Sequence, residues 1–497
     1  MKANKLLLLA STILAASTLA GCGGGGSSDD GTIKITFDHT FGEGIEKGVQ
    51  AQFAKFKSIV EAHDKVKLEL IMPPAMTYKA IVDTVGMELT TGGPTMTVAY
   101  PDHVASLQSR EGTAGRWIVD MDSYMKSSEV GLGKESWLGE RPAWDESDII
   151  PTYLKEGQEF ARTGTYCLPF MKSTEILQYN ADVVLQALAK YSKTKDMTAV
   201  QKEAFLANMS FDEMMEIAQI IEDNKVDFHC PDLENVVFYD SDSNMAITQL
   251  IQNDLVYSDF KDGQPILGLD ASEASMSENV AEAKVLLQKI RDWGKSGLLT
   301  TKAAYGNYSS TSFKSRKCIF IVGSSGGAGY SVPDEGDFNT GYARVPYFGS
   351  DALHPEYVSQ GPSIAFLRDT SVSDEVNELR LKYAWKFYKY LIMPNTNVAL
   401  TVNDSQGYVP IRKSAYATPT WGKIISPDTE AGEEITYYTH TANVVQSIDY
   451  HFYSTKVFKG SDKYRENVTT AVKDLIKTDD SIDDILATLV RETKKFM

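Results

Sequence analysis

Four stretches of this 497-residue chain hold residue types at spacings that could do chemistry. Gly323-Ser-Ser-Gly-Gly327 fits the Gly-x-Ser-x-Gly turn that exposes a nucleophilic serine, and it follows an apolar run, Cys318 to Val322, as such a turn must. The helix that should come next is not written in the sequence. Gly326-Gly-Ala-Gly-Tyr-Ser-Val-Pro333 reads as a loop, so a turn that offers backbone N–H groups to a ligand, or simply connects, is expected in place of a hydrolase site. Asp240-Ser-Asp-Ser-Asn244 imitates the start of a calcium loop, but Met245 stands where the sixth position needs glycine and Ile251 where the twelfth needs glutamate. A polar helix cap is expected there. Adjacent carboxylates such as Asp145-Glu146 and Asp479-Asp480 read as solvated helix starts, and nothing singles out a pair spaced for glycoside hydrolysis. There is no His-Glu-x-x-His, no phosphate-loop motif and no dinucleotide glycine pattern, and the 7 histidines form no spaced pair, so neither metal nor cofactor is expected.

The positive signal is aromatic: Tyr 25, Phe 20 and Trp 6 make up 10% of the chain. A sugar presents apolar C–H faces and a belt of hydroxyls, so a site for it needs flat rings beside charged or amide hydrogen-bonding groups. Tyr450-His-Phe-Tyr453 is a compact set of such rings, and Tyr100, Tyr179, Tyr408 and Trp421 are further candidates, each to be weighed against ordinary core packing.

The elements that must position these residues follow from periodicity. Thr32 to Asp38 alternates as a strand, and Glu43 to His63 then places Ile45, Val49, Phe53, Phe56 and Val60 at helical spacing. Val66 to Met72 alternates again, Ala75 to Leu89 repeats the helical pattern after Pro73-Pro74, and Gly92-Gly93-Pro94 turns into a third strand, Thr95 to Tyr100. This β-α-β-α-β order predicts an α/β fold with a parallel sheet. Ligands of open sheets of that kind sit beyond the carboxyl ends of the strands, here Asp38-His39-Thr40, Met72-Pro73 and Tyr100-Pro101-Asp102. Asp102 to Glu159 reads as helical and aromatic, with Trp117, Trp137 and Trp144. Ser210 and Glu213 form a capping box that opens a helix from Phe211 to Asp223, and Ser277 to Ser296 is a further helix stopped by Gly297.

A chain of this length needs two or more cores. Its first residues, Lys2 and Lys5 followed by the apolar run Leu6 to Leu14 and small residues, have the zones of a signal peptide over 1–21. Leu19-Ala20-Gly21-Cys22 resembles the bacterial lipobox, which implies acylation of Cys22, with 22–31 as a flexible Gly/Ser tether. Loss of 1–21 removes two lysines and no acid, leaving 47 basic against 67 acidic residues, a net charge of −20. Such a body repels nucleic acid and anionic lipid surfaces. Cys167, Cys230 and Cys318 are too few and too scattered for a disulfide framework and are expected as buried thiols.

Gly164 to Asn180, GTYCLPFMKSTEILQYN, resembles the strand that carries the chain between lobes in the extracellular solute-binding proteins of ABC importers, family 1, the sugar-binding group. Five later segments resemble that family in order: Phe313 to Ser325, Thr340 to Pro346, Gln360 to Phe366, the Ala384 to Leu391 helix, and Gly407 to Arg412. The stretch 183–208 looks like an insertion relative to it. The resemblance implies a type II periplasmic-binding-protein-like fold, two lobes with mixed sheets flanked by helices and joined by a multi-strand hinge. The lobes would be 32–170 plus 361–407 and 171–360 plus 408–497. It implies capture of an oligosaccharide or polyol in the cleft by hinge closure and delivery to an ABC permease. The protein would be a lipid-anchored monomer on the outer face of the cytoplasmic membrane, in the periplasm or on the surface. Candidate ligand contacts are His39, Thr40, Tyr100, Asp102, Lys172, Ser173, Ser324, Ser325, Gly361, Tyr408, Tyr450, Phe452 and Tyr453. A glycan-active enzyme, or a receptor or adhesin that kept the fold without transport, are the alternatives.

Overall fold

The computed structural model describes residues 31–88, 91–111, 117–139, 145–349, 355–405 and 407–497. The expected signal segment, Cys22, nearly all of the tether, Leu89 and Trp144 lie outside the described residues. The strands are β1 Thr32–Asp38, β2 Lys67–Ile71, β3 Met96–Ala99, β4 Leu168–Pro169, β5 Glu175–Asn180, β6 Val237–Tyr239, β7 Ser258–Lys261, β8 Gln264–Leu267 and β9 Leu299–Thr301. Then come β10 Phe320–Ser324, β11 Thr340–Arg344, β12 Tyr357–Val358, β13 Ser363–Phe366 and β14 Phe452–Tyr453. Among the described residues they form two five-stranded sheets, in orders β2-β1-β3-β13-β4 and β11-β5-β10-β6-β9, and two strand pairs, β12-β14 and β7-β8.

In the first sheet β1 lies parallel to both β2 and β3, as the β-α-β-α-β reading requires, and β13 runs antiparallel to β3 and β4. The alternating burial of β1 follows from its alternating sequence, and the helix Glu43–Asp64 covers the sheet with Val49, Phe53, Phe56 and Val60. Phe53 and Phe56 meet Phe387 of the Asp374–Leu391 helix at centroid distances of 5.0 and 5.2 Å, which locks residues more than 300 positions apart into one core.

In the second sheet β5 lies antiparallel between β11 and β10, while β10, β6 and β9 are mutually parallel neighbours. All six residues of β5 are buried. The capping box forms as read: Glu213 N–H donates to Ser210 Oγ, and Ser210 N–H donates to the Glu213 carboxylate. The stretch 183–208 is the body of two helices, Ala181–Lys190 and Ala199–Leu206. Among the described residues between Asp102 and Glu159 regular helix is confined to short pieces, Pro101–Arg110, Asp122–Met125 and Pro151–Lys155, with 3-10 turns between them. No helix among the described residues is long and apolar enough to cross a membrane.

The two sheets are joined by three extended segments lying side by side. Residues 170–174 run from β4 to β5; Lys172 and Val409 exchange both backbone hydrogen bonds, and Ser173 does the same with Gln360. Buried Asn397 clamps two of these segments, donating to Phe170 O and accepting from Ile411 N–H. Gly361 has φ +100°, and a Cβ there would lie 2.4 Å from Met171 O, so only glycine lets the neighbouring strand come this close. A fourth segment is added at β14, which pairs with β12, and Val457 bridges to Phe160.

Candidate functional site

Beside these crossing segments lies a cavity of about 300 Å³. One wall is the start of the Pro101–Arg110 helix, with Tyr100, Asp102 and His103 following β3 directly. The opposite wall is the start of the Asp242–Ile251 helix, with Ser241, Ser243 and Asn244 following β6, together with Arg465 of the Ser461–Lys477 helix. Val358, Ser359 and Gln360 close the hinge side, and Glu156, Tyr453, Ser454, Thr455 and Val457 complete the lining. Each main wall is a strand end turning into a helix, because a parallel strand delivers its carboxyl end to the same edge of the sheet every time.

The second wall is held by a chain of hydrogen bonds. Ser241 caps its helix through the Asn244 N–H, as the polar-cap reading of 240–244 anticipates. Arg465 Nη1 donates to Asn244 Oδ1 (2.7 Å), Asn244 Nδ2 donates to Glu175 Oε1 (3.0 Å), and the Tyr239 hydroxyl donates to Glu175 Oε2 (2.5 Å). Burial pushes the Glu175 carboxyl up to about 7 despite those donors. Across the cavity Arg465 Nε lies 3.7 Å from Asp102 Oδ2. Glu156 is nine-tenths buried; its Oε2 accepts from Lys172 Nζ (2.5 Å), while its Oε1 is buried without a hydrogen-bond partner. Ser359 Oγ, Gln360 Oε1 and His103 Nδ1, on residues that also line the cavity, are likewise unpartnered.

Of the thirteen residues expected to contact ligand, three line this cavity: Tyr100, Asp102 and Tyr453. Thr40, Gly361 and Tyr408 gather at its edge. The Tyr78 side chain lies beside Thr40 and Tyr100, Tyr100 lies against the Gly361 backbone, and the Tyr78 and Tyr100 rings are 4.5 Å apart. The Tyr408 ring packs on Gly326. Ser324 is exposed and donates to Ser173 Oγ (3.3 Å), so this pair joins the second lobe's turn to the hinge.

The remaining residues face elsewhere, for physical reasons. His39 is fully buried, stacks on Phe41 at 5.2 Å and accepts the Phe41 N–H; burial lowers its pKa. Its neighbour Asp38 is pushed up to about 7 by burial and by Glu88. Lys172 is 0% exposed, and its ammonium is spent on Glu156 and Ser363, so the pair's carboxylate, not its cation, reaches the cavity. Ser325 Oγ donates to Gly407 O and accepts from the Thr174 N–H, which leaves it a structural pin and no exposed nucleophile. Phe452 is buried against Tyr153, and Tyr450, at φ +66°, edges onto Tyr416 outside the cavity. Tyr453 reaches the lining but is 6% exposed, with its hydroxyl 2.8 Å from Thr248 Oγ1. Tyr179 and Trp421 are core residues. Cys167, Cys230 and Cys318 are free and buried, and no metal-binding cluster of His, Cys, Asp or Glu occurs among the described residues.

Sequence reasoning missed Glu156, Arg465 and the 241–244 wall. The strand-end rule that found Tyr100 and Asp102 would have found Ser241 to Asn244 had it been applied to Val237–Tyr239. Glu156 and Arg465 carry no such local signal.

A polar cavity between two α/β bodies joined by crossing strands defines the class of two-lobed binding proteins. The sequence matches the family described as "Bacterial extracellular solute-binding protein" over residues 51–424, and the chain belongs to that family. A search of curated protein sequences returns no match. Among solved structures, the GacH receptor of Streptomyces glaucescens, studied unliganded and with acarbose, superposes with a TM-score of 0.61 at 17% identity, covering 93% of this chain and 98% of that one. UgpB from Mycobacterium tuberculosis, in complex with glycerophosphocholine, gives 0.62 at 15% identity over 94% and 98%. The cyclic alpha-maltosyl-1,6-maltose binding protein from Arthrobacter globiformis gives 0.64 at 12% identity over 94% and 99%. These likenesses show the fold.

Proposed function

We propose that this solute-binding protein captures a carbohydrate or related polyol in the interlobe cavity, by hinge closure, and delivers it to an ABC permease. The observation that carries the reading is the cavity itself: carboxylate, amide, hydroxyl and guanidinium groups from both walls and the hinge converge on about 300 Å³ edged by Tyr100 and Tyr453. That volume is at the lower end of the roughly 300 to 1,000 Å³ of ligand pockets. A disaccharide of about 23 heavy atoms at about 0.3 kcal/mol per atom gives about 7 kcal/mol, near the roughly 8 kcal/mol of a micromolar binder. Two of the similar proteins, the GacH receptor in complex with acarbose and the Arthrobacter globiformis protein that binds a cyclic maltosyl-maltose, support that class.

The lobes divide at the hinge, 32–170 with 361–407 and 171–360 with 408–497. The protein binds without turnover, works as a monomer and is held in the envelope through acylated Cys22. The test is calorimetric titration with a panel of neutral mono-, di- and trisaccharides and polyols, followed by chromatography of the recovered ligand. Micromolar binding with unaltered ligand is expected. Chemical conversion of any panel member, or no binding across the panel, contradicts the reading.

A further inference from the structure

Glu156 and Lys172 form a pair with two unlike ends. Lys172 lies in the first crossing segment with its ammonium sealed between Glu156 Oε2 and Ser363 Oγ, and no part of it reaches solvent. Glu156 lines the cavity, and its second oxygen is buried with no donor. The pair therefore turns its negative end to the ligand space and its positive end into the hinge. Elsewhere on the wall the acidic bias repeats. Asp102, which also lines the cavity, is the acid in the first turn of its helix, so that helix N-terminus already has a carboxylate beside it. The one guanidinium of the lining, Arg465, is engaged by Asn244 and faces Asp102. The lining thus holds two carboxylates against one guanidinium, with the Lys172 ammonium set behind Glu156, and Gln360 adds an unpartnered carbonyl oxygen.

The geometry points to Glu156, oriented by Lys172, as a specificity-determining acceptor that requires a hydroxyl-rich, uncharged ligand and rejects phosphorylated ones. This rests on the carbohydrate reading above and deepens it. A ligand hydroxyl supplies the missing donor to Oε1. A phosphate brings more acceptors and a charge of the same sign into a space partly shielded from water, where like charges repel several times more strongly than in bulk solvent.

The experiment is calorimetry with matched probes: maltose against maltose 1-phosphate, trehalose against trehalose 6-phosphate, and glycerol 3-phosphate and glycerophosphocholine as small phosphorylated probes. For a neutral sugar that binds, its phosphate ester is expected to bind about fivefold more weakly, the size of repulsion from a carboxylate about 6 Å away less the attraction to the Lys172 ammonium about 2.5 Å behind it, at the effective dielectric of a partly buried site. Glu156→Gln should abolish that difference. Because Lys172 would be left unpaired, the double variant Glu156→Gln, Lys172→Met is measured alongside and should abolish it in the same way. An ester that binds the wild type as tightly as its parent sugar overturns the assignment of Glu156 while leaving the carbohydrate reading standing. So does a ratio unchanged in whichever variant folds. If only the phosphorylated probes bind, or no probe does, the carbohydrate reading fails, and this inference with it.

Discussion

Two ion pairs border the same cavity and differ in nearly every physical respect. Glu156–Lys172 is 2.5 Å long and sealed, with both side chains all but removed from solvent. Asp102–Arg465 spans the cleft at 3.7 Å, with the guanidinium about a third exposed. A sealed pair is fixed by the fold and sets what the wall offers. A partly solvated pair across a cleft is exchangeable, so it can open when a ligand enters or the lobes part. The hinge side of the site is therefore preorganised, and the mobile side adapts.

The largest effect that would break this comparison is on the sealed pair. Lys172→Met leaves a buried carboxylate uncompensated and should lower unfolding free energy by about 3 to 5 kcal/mol, whereas changing both residues to Met should recover most of the loss. Urea unfolding of the two variants checks it.

Glu175 sharpens the contrast, because it is a buried carboxyl with no ion-pair partner within hydrogen-bonding reach. Its pKa is pushed up to about 7, chiefly by burial, above the unfolded value near 4.3. Between those values the folded state holds the extra proton, so this group's contribution is intact below about pH 4.3 and is lost as the pH rises through about 7. Relative to wild type, Glu175→Gln should gain about 2 to 3 kcal/mol between pH 4.5 and pH 7.5, read from unfolding curves at both ends.

How much of this was legible in sequence follows from the same contrast. The first sheet and the wall at Tyr100 and Asp102 were readable because strand period, helix period and the strand-end rule are local. The crossing segments were readable because Leu168-Pro-Phe170, Gly361-Pro362 and Gly407-Tyr-Val-Pro410 resemble the family's segments at those places. Side-chain direction was not readable. Lys172 and Glu156 lie 16 positions apart in irregular chain, and Arg465 reaches Asp102 across 363 positions, so no periodicity couples either pair. Tyr453 shows the limit plainly: it reaches the lining, but its hydroxyl is taken by Thr248 and its ring is packed, so it shapes the wall. Tyr453→Phe should then cost about 1 kcal/mol of stability, the net worth of one buried hydrogen bond, measured by thermal unfolding.

The smallest stability effect belongs to the exchangeable pair. Asp102→Asn, which leaves the Arg465–Asn244 bond in place, should change unfolding free energy by less than about 1 kcal/mol, as partly exposed pairs do, while altering how far the lobes close on ligand in small-angle scattering. A loss as large as that of Lys172→Met would erase the distinction between the two pairs.

The central claim is that one solute is held between the two lobes at this cavity. Hydrogen–deuterium exchange with and without the tightest-binding saccharide of the panel tests it directly. The account predicts new protection at 100–103, 241–244, 358–360 and 453–457, from both lobes and the hinge together. Protection confined to one lobe, or lying away from these segments, would contradict it.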